Sequence, residues 1–196
     1  KLLHPVGRLD ADTTGLLLFS RDGDLTHRLL HPKYVVEREY LATVENPVDE
    51  AKLRAQLAEG IETIENGESL IVQGDLLRVE GDDGQTVRAI FREGKYRMVR
   101  RVLANAGHPV VALHRVRYGE VRLDDLGIEE GESVAIEGPD LEWARTLKEQ
   151  RTPARPKLDA GSPDGNDGSA SARERAASSS SQPTSPATPP RPSRAD

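Results

Sequence analysis

Short apolar runs broken by glycine and aspartate dominate the first 150 residues. "TGLLLFS", closed by "RDGD", has the length and the turn signal of a buried strand over residues 14–20. "GDLTHRLLHP" predicts a short helix, with Asp24 as N-cap, Leu25, Leu29 and Leu30 on one side, and Pro32 as its stop. In "EREYLATVE" the period drops to two and puts Tyr40, Ala42 and Val44 on one strand face. "NPVDEAKLRAQLAEG" returns to the helical period. Asn46 caps it, Pro47 sits in the first turn, Leu53 and Leu57 face inward, and Gly60 ends it.

Further strands are predicted at "SLIVQG", "LLRVEG" and "QTVRAIFREG", joined by Gly and Asp turns that read as hairpins. "KYRMVRRVLANAG" is a second amphipathic helix with Gly107 as its C-cap. Met98, Val99, Val102, Leu103 and Ala106 form its apolar stripe, and Arg97, Arg100 and Arg101 lie together on the other side. "PVVALHRVRYGEV" and "ESVAIEG" predict strands. "PDLEWARTLKEQ" closes as a helix that Trp143 packs onto the core. Hairpins with occasional helices, in place of regular crossovers, predict an α+β fold: a mainly antiparallel mixed sheet with flanking helices.

Composition then divides the chain. Residues 151–196 are built almost wholly of Pro, Ser, Ala, Gly, Thr and charge, with Leu158 as the one large aliphatic. Such a segment cannot offset its chain entropy by burial and is expected to be disordered, leaving a folded domain over 1–150. The chain has no cysteine, which fits a reducing compartment and excludes disulfides and thiolate metal sites. No run reaches a membrane span and the start lacks a signal-peptide core, so a soluble cytoplasmic protein is expected. The chain opens without Met directly into patterned sequence, and reads as part of a longer one.

Net charge is −6, but its distribution is uneven. Arg88–Arg122 holds nine Lys and Arg against two acids, Glu93 and Glu120, a local basic face of the kind a polyanion meets. The bland alternative is an ordinary solvated surface.

Candidate chemistry concentrates in "GRLDADTTG", which packs two carboxylates and two hydroxyls between glycines. A calcium loop starting at Asp10 needs a bidentate acid at its twelfth position, and Arg21 stands there. Asp10-x-Asp12-x-Thr14 also matches the signature of Mg-dependent aspartyl phosphatases, although "PVGRL" is no strand core and no βαβ unit follows. The third reading is a single ionised carboxylate held beside arginine, suited to a nucleophile or base. His4, His27, His31, His108 and His114 are scattered without ligand spacing.

"GRLDADTTGLLLFSRDGDLTHRLLHP" resembles the central motif of the ribosomal-RNA pseudouridine synthases of the RsuA/RluB type, G-R-L-D-x-x-T-x-G-L-L-L. "VEREYLATVENPV" resembles that family's Tyr-bearing strand, and "EGKYRMVRRVLANAGHPVVALHRVRYGEVRL" its basic helix and following strand. Together they cover about residues 3–126. The resemblance implies the pseudouridine synthase catalytic-domain fold and isomerisation of a specific uridine in ribosomal RNA or a ribosomal-subunit precursor. It implies a monomer that needs no cofactor and no metal.

Carried over by position, Asp10 is the catalytic aspartate, Tyr40 the aromatic against the target base, and Arg100 the cation that pairs with Asp10. Arg8 and Thr13 shape the turn and, with Arg97 and Arg101, fall at RNA-contacting positions; Asp12 falls on a variable position and is expected to stand idle. Met98 stands where many members carry Gln or Glu, and Tyr96 where Asn or His is common. Arg117 and Tyr118, in "PVVALHRVRYGEV", are read as strand-end residues in preference to RNA contacts. Only nine residues precede Asp10, so the family's S4-type RNA-binding domain and Lys-Pro-Gly loop are expected to be absent. The rival from another class is a non-catalytic RNA-binding module of the same fold.

Overall fold

The computed structural model describes residues 2–150. The Pro/Ser/Ala-rich segment read as disordered lies outside the described residues. The strands are β1 (His4–Pro5), β2 (Thr13–Gly15), β3 (Phe19–Ser20), β4 (Arg38–Val44), β5 (Ile61–Glu65), β6 (Glu68–Val72), β7 (Asp75–Glu80), β8 (Thr86–Phe91), β9 (Val110–Tyr118) and β10 (Val121–Arg122). The α-helices are α1 (Gly23–Leu30), α2 (Glu50–Glu59), α3 (Met98–Asn105) and α4 (Gly138–Glu149).

The central sheet runs β10-β9-β4-β8-β7 with antiparallel neighbours, and β2 joins the same edge of β9 as a short parallel strand. This is the expected α+β arrangement, with one parallel pair added. Alternation along β4 buries Tyr40, Ala42 and Val44 on one face, and helices α2 and α3 cover it. Leu53 and Leu57 of α2 are fully buried there, each contributing about 1.5–3 kcal/mol of apolar transfer. A second core gathers Val6, Leu16, Leu29, Tyr118, Val121 and Leu147, with Trp143 of α4 packed against it. Gly119, at φ +60°, lies so close beneath the Trp143 ring that a Cβ there would fall 2.0 Å from it.

Several expectations need local correction. "TGLLLFS" is two short strands, β2 and β3, because Leu16 leaves the strand to fill the second core. Helix α1 is capped by Asp22, whose carboxylate accepts from the amides of Asp24 and Leu25. Asp49, not Asn46, caps α2. Asn46 instead donates to Gly107 O, tying the chain before α2 to the end of α3. "ESVAIEG" forms no strand; Val134 is half exposed there, while Ile136 packs on the second core. No helix among the described residues is long and apolar enough to cross a membrane.

Candidate active site

The two cores meet at a cavity of about 340 Å³, lined from one side by Tyr40, Met98, Val99 and Leu113 and from the other by Val6 and Tyr118. The turn between β1 and β2 crosses its mouth. Gly7, at φ +76°, reverses the chain, and Thr13 N donates to Asp10 O at 2.9 Å to close it. Arg8, Asp10 and Thr13 thereby line the cavity together with Tyr40 and Arg97.

Asp10 has no ion pair within 4.0 Å and no side-chain hydrogen bond among the described residues. Its charge acts at longer range, adding to the field that raises the Arg97 pKa; the hydrogen bond to Asp12 is the larger cause there. Tyr40 is 8% exposed, its ring edge-on to Phe91 with centroids 6.4 Å apart. The buried hydroxyl of Thr13 has no hydrogen-bond partner.

Arg100 does not reach Asp10. Its Nη2 donates to Asp12 O at 2.6 Å and its Nη1 to Val110 O at 3.1 Å, while Nε lies 3.4 Å from the Asp12 carboxylate. The guanidinium thus staples the turn to the start of β9. Arg97 grips the same carboxylate as a fork, Nη1 and Nη2 donating to its two oxygens at 2.9 and 2.8 Å. That fork holds the Asp12 carboxyl below the usual carboxylate range. Asp12, expected to stand idle, is therefore the carboxylate that carries the turn's ion pairs, and the expected Arg100–Asp10 pair is replaced by Arg100–Asp12. With two guanidiniums on it, Asp12 is not placed to share a cation with Asp10, as the phosphatase reading requires.

Arg97 holds a left-handed backbone, φ 45°, as N-cap of α3. Such a conformation costs a non-glycine residue about 1–3 kcal/mol and is kept where the surroundings demand it. Arg101 turns away: its Nη1 donates to Ile64 O and its Nη2 lies 3.7 Å from Glu65, both on β5. Met98 lines the cavity from the first core, whereas Tyr96 is 65% exposed.

Two buried arginines that line the cavity, Arg38 and Arg115, were given no site role by sequence, and Tyr118, read chiefly as a strand-end residue, lines it beside them. Arg38 Nη2 donates to Tyr118 Oη and to Leu29 O, and Tyr118 Oη donates to Leu29 O. The signal that could have found Arg115 is the glycine of the opening motif. Gly15 pairs with Arg115 across β2 and β9, and a Cβ on Gly15 would fall 2.3 Å from Arg115 O. Glycine at φ +102° lets the two backbones touch, and Leu16 N donates to Arg115 O beside it at 2.8 Å. Among the described residues no group of three or more His, Asp or Glu side chains is placed to hold a metal ion.

The family model for RNA pseudouridylate synthase matches residues 1–119. A ribosomal small subunit pseudouridine synthase A from Yersinia pestis is 41% identical over 123 residues, covering 63% of this chain and 50% of that protein. A ribosomal large subunit pseudouridine synthase B from Vibrio vulnificus is 41% identical over 147 residues, 74% of this chain and 44% of that protein. A crystal structure of a pseudouridylate synthase superposes with a TM-score of 0.63 at 39% identity, over 74% of this chain and 59% of that one. The chain spans about half the length of these curated relatives.

Proposed function

The chain belongs to the RNA pseudouridylate synthase family, and on that premise we propose that it converts a uridine of ribosomal RNA to pseudouridine in the Asp10 cavity. Relatives named for both ribosomal subunits match it about equally, which supports ribosomal RNA as the substrate class without choosing a subunit. In this isomerisation the N1–C1′ bond breaks, C5 joins C1′, the C5 proton leaves and N1 takes one up. Nothing is oxidised or reduced.

One observation carries the reading: a carboxylate with no ion pair faces a cavity of nucleoside dimensions walled by a buried tyrosine. The target base leaves its stack at a cost of a few kcal/mol and is held by stacking and edge hydrogen bonds. Tyr40, braced by Phe91, is the stacking surface. Asp10 is the reacting carboxylate, kept free of any fixed partner that would have to be displaced first. Arg8 and Arg97 at the rim meet RNA phosphates, which position the strand without reading it.

Release of label from ribosomal RNA tritiated at uridine C5 tests the proposal. Asp10→Asn is expected to lower the rate by more than about 10³-fold, as loss of a nucleophile or base does. Because Asp10 has no ion pair, its melting temperature should stay at the wild-type value. Wild-type protein that binds the RNA yet releases no label would favour the non-catalytic RNA-binding module.

A further inference from the structure

Between Arg88 and Arg122 lie nine basic residues, and among the described residues eight of them sit in ion pairs within 4.0 Å. Arg115 is the exception, although it is only 3% exposed. Its Nε donates to Leu16 O at 2.8 Å and its guanidinium carbon lies 5.1 Å from the Tyr118 ring centroid. Its Nη2 is buried and has no hydrogen-bond partner. A guanidinium buried without an acid is costly in any fold, and cation–π contact with one ring offsets only part of that cost.

Its orientation is built into the strand. Arg115 and Arg117 differ by two, so a regular strand would put both on one face. In β9 Glu39 opposes Arg117 while Tyr40 opposes Arg115, which leaves Val116 as a bulge. The bulge sends Arg117 to Glu39, at 2.9 Å, and Arg115 to the cavity beside Tyr40. Bulges next to functional sites commonly re-aim one side chain in this way.

We propose that Arg115 donates a hydrogen bond to a carbonyl oxygen of the flipped uracil and stabilises the charge left on the ring when N1–C1′ breaks. This role rests on the synthase reading. Of the other cations lining the cavity, Arg8, Lys95 and Arg97 are exposed or half-buried at the rim, within reach of phosphates, and Arg38, buried like Arg115, already donates to Tyr118 Oη and the Leu29 and Val36 carbonyls. The buried cation with a donor still unpartnered, Arg115, meets what enters deepest, the base. A guanidinium offers only donors, and uracil presents O2 and O4 as acceptors. Cleavage leaves the N1–C1′ electron pair on the ring, spread over O2 and O4, so the bond strengthens as the reaction proceeds.

Single-turnover release of C5 tritium from transcribed ribosomal RNA, read beside the RNA Kd, tests this. Arg115→Gln is expected to slow release about 100-fold, the effect of losing one such donor, with Kd within threefold of wild type. A rate within threefold of wild type, or a Kd rise that accounts for the whole loss, overturns the role. Should Arg115→Gln fail to melt cooperatively, Arg115→Lys keeps the charge but cannot serve both Leu16 O and the base. That variant is expected to be about tenfold slower at unchanged Kd, and a wild-type rate overturns the role. Wild-type protein that releases no label overturns the synthase reading together with this role; an active wild type beside an unaffected Arg115→Gln overturns the role alone.

Discussion

On the sheet face that carries Glu37 and Glu39, arginines and acids form a continuous lattice. Glu39 is gripped by Arg88 and Arg117 at 2.8 and 2.9 Å, with Arg122 3.7 Å away; Glu37 bridges Arg92 and Arg117; Arg92 reaches on to Asp75. On the face that carries Tyr40, an acid and an arginine also share a space, yet Asp10 and Arg115 have no ion pair. The same side-chain types thus hold strands together on one face and stand ready on the other. Nine cations in one run suggested an RNA-binding surface, and most of that charge is neutralised at home. What distinguishes the candidate site is missing pairing, not surplus charge.

The paired face should therefore answer to stability and the unpaired face to chemistry. Glu39→Gln removes the acid that Arg88 and Arg117 share, both of them largely buried. Breaking a buried pair costs about 3–5 kcal/mol, so urea unfolding should lose about 3 kcal/mol while tritium release per folded molecule stays within threefold. Burial pushes the Glu39 carboxyl up, but its bonds to Arg117 and Arg88 outweigh this and hold it below the usual range. A depressed folded-state pKa contributes stability above the ordinary carboxylate pKa, lost as pH falls through the folded value. The gap between wild type and Glu39→Gln should therefore narrow as pH drops below about 4.5. A variant of full stability and lost turnover would mean that the lattice serves the reaction.

Asp12 lies between the two cases, paired but at the cavity rim. Asp12→Asn removes the fork that Arg97 holds and the 3.4 Å contact to Arg100, while Arg100 keeps its bond to the Asp12 carbonyl. The turn should stay folded and Asp10 should lose precise placement. About tenfold slower single-turnover release at an unchanged melting temperature is expected, since small misplacement of a reacting group is expensive. An unchanged rate would assign Asp12 to the surface alone.

How far the sequence could be read follows the same division. Local patterns were legible: α3 with its apolar stripe and the Tyr40, Ala42, Val44 face of β4 stand as the spacing predicts. Pairings at long range were not. Which acid meets Arg100 depends on the angle at which α3 meets a turn 88 residues earlier. The lattice joins Glu39 to Arg117 across 78 residues. The bulge at Val116 leaves no mark in a hydrophobic pattern, because Val116 is apolar and buried either way. Without the bulge in view, Arg115 reads as one more arginine of a basic strand.

The smallest expected effect comes from a pair that is exposed and far from the cavity. Asp22 caps α1, and Lys148 Nζ of α4 lies 2.7 Å from its carboxylate. The Lys148 bond, with the Leu25 amide behind it, lowers the Asp22 pKa to about 2. Asp22→Asn keeps an equally good cap and removes only the charge. The contribution of a depressed carboxyl is present above its ordinary pKa and lost as pH falls toward the folded value. Thermal melting of the variant should therefore lie slightly below wild type above pH 4 and converge with it toward pH 2. Exposed pairs are worth little, so tritium release should not change. A gap that persists unchanged at pH 2 would show that the cap was damaged and the ion pair contributed nothing. An exposed pair would then have no measurable part in joining α4 to α1, and the stabilising role of paired charge would be confined to the buried lattice around Glu39.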